Sequence, residues 1–331
     1  MQKWNRRRFL TTGAATGAAL LTGAAGTASA ATPPTVRPAG EGGSPEDGSS
    51  EDEPLEIVTG EDGFTHPAVA PPGPVTFETV STSMTTGFVG LARLRDGYDE
   101  AAFKQLLRTL FSSQVPAETI AATHELMAAS RLFGGAAVHP GITSHFTAEL
   151  EPGRYLLLEY RDFQSDLGRN PPPGQEYVRT LTVREDAAPL VATADAGAGA
   201  DASGRPHCTA TLRALHTRPG PRFVLRGRVR AGRPLRYVNS VPDQPDEAII
   251  YRVADDGVTR EDIQAFFDGA TRTPPFAIKA PLGTPPLSPG EGVTLTMPTE
   301  PGRYVAVSWV GSVEDAKPMA QHGQHLLFRV H

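Results

Sequence analysis

Short runs of apolar residues, separated by Pro and Gly, recur along most of the chain. Residues 142–150 and 293–297 alternate apolar and polar side chains, whereas 156–160 and 305–309 are mostly apolar. Alternation indicates a strand with one buried face, and a short apolar run between turn residues indicates a strand that is buried on both faces. The pattern therefore predicts a fold that is mainly β.

Helical spacing of apolar residues occurs at three places. The segments 103–110 and 263–267 place apolar side chains three and four positions apart. Thr259 is a favourable N-cap and acidic residues follow it, so one short helix is predicted to begin there and the other near Asp99. A further helical insert is predicted over 116–132, in the first part of the chain.

The two parts of the chain repeat one another at a constant offset. The sequence EPGRY occupies 151–155 and again 300–304, and a Pro-Gly pair precedes each copy, at 140–141 and 289–290. Alternating strands follow both Pro-Gly pairs, and apolar strands follow both EPGRY segments. Several collinear matches of this kind predict a duplicated structural unit.

Composition separates the two predicted units from the segments that join them. Residues 31–53 are rich in Pro, Gly, Ser and acidic residues, which predicts a disordered tether, and the Ala/Gly-rich segment 186–205 predicts a linker. The remaining segments, 54–185 and 206–331, each have the usual size of a domain. We predict two tandem Greek-key β-sandwich domains, each with a short helix, and the helical insert in the first.

Charge and cysteine content exclude several functions. The net charge is −6 although four basic residues precede residue 31, so the rest of the chain is clearly acidic. Non-specific nucleic-acid binding is therefore not expected. The single cysteine, Cys208, excludes an intrachain disulfide framework and any Cys-rich zinc or iron–sulfur site.

The N-terminus has a basic start that continues into two apolar residues (Arg6, Arg7, Phe9 and Leu10), then a mild Gly/Ala/Leu stretch, and then a small-x-small site at Ala28 and Ala30 that precedes Ala31. This order resembles the bacterial twin-arginine signal peptide, whose presence implies export, a secreted or extracytoplasmic location and no membrane span after removal. A membrane anchor is the alternative, but Gly and Thr interrupt the apolar stretch. The motif residues are Arg6, Arg7, Phe9 and Leu10, and the cleavage residues are Ala28, Ala30 and Ala31.

The order of turns and strands is the same in both predicted domains, which we call the first and second body. A strand ending in Asp-Gly (96–97 and 256–257) leads to a helix, and a Pro-Gly turn precedes an alternating strand. A Pro-Gly-x-Tyr turn then begins a long apolar strand. This order resembles secreted bacterial cupredoxin-like proteins, with the plastocyanin/azurin-like fold. The resemblance implies β-sandwiches and, in the family, a blue-copper centre of two His, one Cys and one Met.

None of the implied ligand positions holds the implied ligand. The cysteine position holds Glu159 in the first body and Ser308 in the second, and the first histidine position holds Gly87 and Asp246. The last histidine and the methionine correspond to Pro172 and Tyr177 in the first body and to Met319 and Gln324 in the second. The resemblance therefore implies no type 1 copper site, and no cofactor is expected.

A second copper hypothesis rests on the C-terminal residues Met319, His322 and His325, since Met and His are plausible copper ligands. On a strand, His322 and His325 would face opposite sides, so they converge only if Gly323 lies in a loop. The alternative is that these are polar surface residues.

A basic strand is predicted at the start of the second body. Alternate spacing places Arg226, Arg228 and Arg230 on one face, which either meets an acidic partner or is simply solvated.

The favoured function is an exported binding or structural protein of the cell envelope, whose partner the sequence does not identify. The alternatives are copper handling by the C-terminal residues and an enzyme with a site between the two bodies, for which the sequence offers no positive support.

Overall fold

Two mixed β-sheets pack face to face, with helices on the outer side of one of them. The predicted fold class, a mainly β sandwich with short helices, is confirmed. We refer to residues 54–186 as the first half and 206–331 as the second half. The computed structural model describes residues 54–60, 64–83, 87–163, 176, 178–186 and 206–331.

The strands of both halves are short and follow the predicted alternation. In the described part of the first half they are β1 (Leu55–Thr59), β2 (Phe64–Thr65), β3 (Val69–Ala70), β4 (Gly73–Ser81), β5 (Gly87–Leu94), β6 (Ser130–Val138), β7 (Thr143–Leu150), β8 (Gly153–Glu159) and β9 (Val178–Val183). In the second half they are β10 (Ala210–Thr217), β11 (Gly220–Gly227), β12 (Leu235–Ser240), β13 (Asp246–Arg252), β14 (Leu282–Leu287), β15 (Gly292–Thr296), β16 (Gly302–Val307) and β17 (His325–Val330).

The helices lie at the predicted places. They are α1 (Glu100–Ser112) and α2 (Pro116–Ala129) in the first half and α3 (Arg260–Phe267) in the second, with short 3-10 turns at Tyr160–Phe163 and Met319–His322. The predicted insert 116–132 is wrong at its C-terminal end. The chain leaves the helix at Ser130 to begin β6, because the backbone pairs with β5 from there on, as Ser130 does with Leu94, and Leu132 is buried in the sheet.

Each sheet contains strands from both halves. The eight-stranded sheet has the order β11-β10-β12-β15-β7-β4-β1-β2, and the nine-stranded sheet has the order β17-β16-β13-β14-β6-β5-β8-β9-β3. The halves therefore meet at two antiparallel pairs, β15 with β7 and β14 with β6. The two sheets run on without a break from one half to the other.

Side-chain hydrogen bonds reinforce this junction. The Ser288 hydroxyl accepts the backbone N–H of Leu132 at 2.9 Å, and the Thr284 hydroxyl accepts that of Gly135 at 3.0 Å. Leu287, which pairs with Phe133 across the junction, is fully buried. Two backbone N–H groups of β6 that do not pair with the backbone of β14 therefore donate to hydroxyls of the second half.

Two apolar cores follow from the alternation. One lies between the sheets and contains the inward residues of both, including Phe77, Leu157 and Tyr237. The other lies on the outer side of the nine-stranded sheet, where Phe103 of α1 and Phe266 of α3 pack against its strands. The molecule therefore has three layers: a sheet, a second sheet and a layer of helices.

The duplicated turn has the same contacts in both halves. The Tyr155 hydroxyl donates to the backbone oxygen of Glu151 at 3.0 Å, and the Tyr304 hydroxyl donates to that of Glu300 at 3.1 Å. Each tyrosine also accepts the backbone N–H of the same glutamate. The EPGRY repeat therefore forms one structural motif twice.

A capping box formed by Thr259 and Asp262 closes the N-terminus of α3. The Thr259 hydroxyl accepts the backbone N–H of Asp262 at 3.2 Å, and the Asp262 carboxylate accepts that of Thr259 at 2.8 Å. Because Thr259→Ala removes half of this capping box, we expect a loss of about 1 kcal/mol in the free energy of unfolding. Urea unfolding measures it, with the exposed Thr273→Ala as control; equal losses in both variants would contradict the capping role.

Several predictions concern residues outside the described ranges. They include the export motif (Arg6, Arg7, Phe9 and Leu10), the cleavage site (Ala28, Ala30 and Ala31), the tether 31–53, residues 187–205 of the linker, and Pro172 and Tyr177. Within the described residues, none of the helices combines the length and the apolar character that crossing a membrane requires.

Candidate functional site

Three positions that the resemblance assigns to copper ligands come together in the second half. β13, β16 and β17 are neighbours, and Asp246, Ser308 and Gln324 lie at the same end of them. The Ser308 hydroxyl donates to Oδ1 of Asp246 at 2.6 Å, and Nε2 of Gln324 donates to Oδ2. All three side chains are fully buried. We call these three residues the second-half polar cluster.

The next residue of β13, Glu247, is a second buried carboxylate. Its backbone N–H donates to Oδ1 of Asp246 at 2.9 Å, while its Oε1 accepts the backbone N–H of Trp309 at 2.9 Å. Burial, opposed by the hydrogen bonds from Ser308 and Gln324, raises the pKa of Asp246 to about 7. We therefore expect Asp246 to change its charge near neutral pH, which a surface aspartate does not do.

In the first half, Gly87 occupies the position equivalent to Asp246, and Glu159 occupies the position equivalent to Ser308. Glu159 ends β8 and is fully buried, and its Oε1 accepts the backbone N–H of Phe88 at 2.9 Å. Gly87 begins β5 and faces it, since a Cβ built at residue 87 would lie 2.5 Å from Oε1 of Glu159. The glutamate therefore fills the space that a side chain at residue 87 would need.

Each half thus buries one carboxylate between the same two strands, but a different one of the two strands supplies it in each half. In the first half Glu159 supplies it and faces a glycine, whereas in the second half Asp246 supplies it and faces a serine. The same backbone group binds the carboxylate in both, because the N–H of Phe88 and the N–H of Glu247 each donate at 2.9 Å. The hydrogen bond from the backbone N–H to the carboxylate therefore has the same length in both halves, although the carboxylate comes from a different strand.

A buried arginine accompanies the first-half carboxylate. Nη2 of Arg161 lies 3.8 Å from Oε2 of Glu159, and Nη1 donates to the Ser83 hydroxyl. Burial raises the pKa of Glu159, and the charge of Arg161 opposes that rise. Sequence reasoning missed Arg161; the available signal was a charged residue placed directly after an apolar strand. Gly87, Glu159, Arg161 and Ser83 form what we call the first-half polar cluster.

Neither cluster fits a blue-copper centre. That centre needs a thiolate and imidazole nitrogens, whereas these clusters contain carboxylate, hydroxyl, amide and guanidinium groups that are already bonded to one another. The single cysteine, Cys208, precedes β10 in the other sheet, and its Sγ lies 3.8 Å from the hydroxyl of Thr294. It supplies a thiolate to neither cluster.

The C-terminal candidates have different surroundings. Met319 belongs to the core between the sheets. Nε2 of His322 lies 3.0 Å from Oδ1 of Asp315, and Nε2 of His325 donates to Oε1 of Gln264 in α3 at 2.9 Å. Met319 and His325 thus face opposite sides of the nine-stranded sheet, and His322 is held by an acidic partner. The structure does not bring the three side chains together.

His325 is nevertheless an unusual histidine. It is buried, and its Nδ1 has no hydrogen-bond partner among the described residues. Burial and the positive charges of Arg260 and Arg222 lower the pKa of His325 to about 4. The ring is therefore neutral at neutral pH.

The predicted arginine face differs from the observed one. β11 ends at Gly227, so Arg228 and Arg230 lie beyond the strand and the prediction of one shared strand face is wrong for them. Arg226 instead shares the outward face of the eight-stranded sheet with Arg213 of β10, as the pairing of β11 with β10 requires. The relevant spacing is across strands, which a single-strand pattern cannot reveal.

A cleft of about 550 Å³ opens at one end of the second half, where Arg252, Arg303 and Arg329 line it. Arg252 pairs with Glu300 at 2.7 Å, and Arg303 donates to the backbone oxygen of Val258 at 3.0 Å. Two of these arginines therefore hold the neighbouring turns in place. The cleft lies within the second half, whereas the enzyme hypothesis requires a site between the halves.

No protein-family model matches the chain, and none of the curated proteins matches it. Among solved structures, auracyanin A, a blue copper protein from Chloroflexus aurantiacus, shares 16% identity over 40% of this chain and 100% of its own, with a TM-score of 0.26. A multicopper oxidase shares 12% identity over 83% and 88% of the two chains, with a TM-score of 0.20. A copper-containing nitrite reductase from Thermus scotoductus shares 13% over 85% and 61%, with a TM-score of 0.20.

Proposed function

We propose that this chain is an exported binding or structural protein of the cell envelope, built from two cupredoxin-like sandwiches that carry polar clusters where the family carries copper. The observation that supports this proposal is the second-half polar cluster. Asp246 is fully buried there and accepts hydrogen bonds from Ser308 and Gln324. A copper ion would have to displace those hydrogen bonds and would gain a hydroxyl and an amide, which are poor copper ligands.

The way in which the halves join also favours a binding or structural role. The pairs β15 with β7 and β14 with β6 occupy the region where an interdomain active site would lie. The outcome is one continuous pair of sheets across the junction. Enzymes that act on small substrates use concave pockets with converging polar groups, and paired strands occupy the place where such a pocket would have to lie.

Copper loading tests the proposal. The full chain is incubated separately with Cu(II) and with Cu(I), desalted and analysed for metal per chain, with a blue copper protein as the positive control. We expect retained copper well below one per chain in either oxidation state, because neither cluster offers a thiolate or an imidazole. The variant His322→Ala/His325→Ala is measured in parallel.

Each positive result would contradict a different part of the proposal. One copper per chain that is lost in His322→Ala/His325→Ala would establish copper handling by the C-terminal residues. One copper per chain that is kept in that variant and lost in Asp246→Asn would place a metal at the second-half polar cluster. In both cases the proposal that this chain is a binding or structural protein without copper would be abandoned.

A further inference from the structure

Exposed arginines without acidic partners follow one edge of the sandwich in the second half. Residues 206–236 contain eight arginines and neither aspartate nor glutamate, although the chain as a whole has a net charge of −6. Five exposed arginines at this edge make no side-chain hydrogen bond and no ion pair within the described part of the chain. We call them the basic edge: Arg213, Arg226, Arg228, Arg230 and Arg329.

Two of these arginines lie on the last two strands of the eight-stranded sheet. Leu212 of β10 belongs to the core between the sheets, so the next residue, Arg213, faces outward. Arg213 lies opposite Val224 of β11, and Arg226 is two residues further along β11. Both arginines therefore project from the same face and lie diagonally across neighbouring strands.

Gly227 carries the chain from this sheet to the other one, and its φ of 82° is readily adopted by glycine. Beyond it, Val229 pairs in parallel with Val330 of β17, the edge strand of the nine-stranded sheet. Both valines are buried in the core between the sheets. Their neighbours Arg228 and Arg329 therefore lie side by side and face away from that core.

Backbone hydrogen bonds hold the segment that carries Arg230 against β17. The N–H of His331 donates to the oxygen of Val229 at 3.0 Å, and the N–H of Ala231 donates to the oxygen of His331 at 2.9 Å. Arg230 follows Arg228 by two residues and faces the same side. The basic edge therefore passes from the outward face of one sheet to that of the other, on a fixed backbone.

The carboxylates nearest to the basic edge do not neutralise it. Asp255 and Asp256 line the cleft beside Arg329, but they follow β13, which β16 separates from β17. Glu300 pairs with Arg252 at 2.7 Å. Within the described residues, no ion pair joins these carboxylates to the basic edge, so its charge is available to an anion from outside the chain.

We propose that the basic edge binds a linear polymer of phosphate groups. This inference rests on the binding role proposed above and deepens it by naming the chemistry of the partner. A single small anion reaches one or two of the five arginines, whereas a flexible chain of repeated charges reaches them all. Phosphate suits the adjacent Arg228 and Arg329 better than carboxylate, because a tetrahedral group presents oxygens to two guanidinium groups, while a planar carboxylate matches one.

Two other anionic partners fit the basic edge less well. A membrane surface is flat, whereas these arginines face two sides of the sandwich, so a bilayer would contact only part of them. Single-stranded nucleic acid is held by stacking on aromatic rings as well as by charge. None of the described phenylalanine, tyrosine and tryptophan side chains is largely exposed. A phosphate polymer without bases needs no such rings.

Isothermal titration of the full chain with inorganic polyphosphate of about 15 units tests the proposal, from about 0.05 M to about 0.3 M salt. We expect binding that weakens with salt, with a slope of log K against log salt of about −3. The variants Arg213→Gln/Arg226→Gln and Arg228→Gln/Arg329→Gln each remove the charges from one side of the edge. Each should weaken binding about tenfold and lower the steepness of the slope by about two.

The matched control is Arg95→Gln/Arg272→Gln, which removes two exposed arginines outside the basic edge and should bind like the wild type. Circular dichroism verifies that every variant folds. No binding by the wild type at low salt, or equal weakening in the control, overturns the proposal. So does equally tight binding of an oligogalacturonate or an oligo-dT of the same charge, or of phosphatidylglycerol vesicles. Copper loading is measured separately, so a failure here is distinguishable from a failure of the proposed function.

Discussion

A second carboxylate beside Glu159, introduced by Gly87→Asp, is expected to destabilise the protein by about 3–5 kcal/mol at neutral pH. A Cβ at residue 87 lies 2.5 Å from Oε1 of Glu159, so the new side chain enters the space that the glutamate fills. Two buried carboxylates would then share the guanidinium of Arg161. Like charges at this separation cannot both stay ionised without a large cost. The free energy of unfolding in urea measures the effect.

The variant Gly87→Asp/Glu159→Ser tests the reason for that loss. It recreates the aspartate and serine that occupy these positions in the second half, where the aspartate accepts the backbone N–H of the next residue. We expect it to recover a substantial part of the stability. Gly87→Asn is the matched control, because it adds nearly the same volume without the charge. Equal losses for Asn and Asp would mean that volume and not charge governs this site, since Ser at 159 relieves both the crowding and the charge.

The elements of the fold could be predicted because the signals for them are local. The EPGRY turns at 151–155 and 300–304 and the cap at Thr259 depend on residues close in sequence, and each formed as expected. The end of α2 was misplaced because Leu132 fits both a helical face and a buried strand. Apolar periodicity alone does not separate those two environments for a short segment.

The joining of the halves could not be predicted. β14 lies between β13 and β6 in the nine-stranded sheet, yet its sequence LGTPPL contains two adjacent prolines. Proline lacks the N–H that a central strand donates, so such a segment is normally assigned to a turn or an edge. Here the hydroxyls of Thr284 and Ser288 replace part of the backbone pairing, because they accept backbone N–H groups of β6. These contacts join residues that are far apart in the sequence.

The candidate site could be predicted by position but not by chemistry. The resemblance identified residues 87, 159, 246 and 308 as equivalent positions, and they do face each other in pairs. It did not predict that the carboxylate would come from opposite strands in the two halves. That exchange depends on which side chain fills a shared volume, and a sequence does not record volumes between distant strands.

The contributions of Asp246 and His325 to the stability of the wild-type protein are expected to oppose each other between about pH 4 and pH 6.5. Burial raises the pKa of Asp246 from 3.8 to about 7, so its contribution is complete at low pH and is lost as the pH rises through 7. Burial lowers the pKa of His325 from 6.5 to about 4, so its contribution is complete above 6.5 and is lost as the pH falls through 4. Each slope is about 1.4 kcal/mol per pH unit.

Single variants should reveal the two slopes separately. The variant Asp246→Asn keeps only the slope that is due to His325, so the free energy of unfolding should fall by about 3 kcal/mol on acidification from pH 6.5 to 4. His325→Gln keeps an N–H donor for Gln264 and leaves the slope of Asp246, so stability should rise over the same range. The double variant should lack both slopes. Urea unfolding at intervals of pH measures all four proteins.

The outcome for Asp246→Asn also decides what kind of site the second-half polar cluster is. Ser308, Gln324 and the backbone N–H of Glu247 all donate to the Asp246 carboxyl, and such donors favour the ionised form. Burial favours the neutral form, and our prediction requires burial to prevail. If Asp246→Asn instead lowers stability equally at every pH in this range, the carboxylate is charged throughout and the three donors prevail. The cluster would then be a fixed buried anion, and its capacity to attract a cation would become the next property to measure.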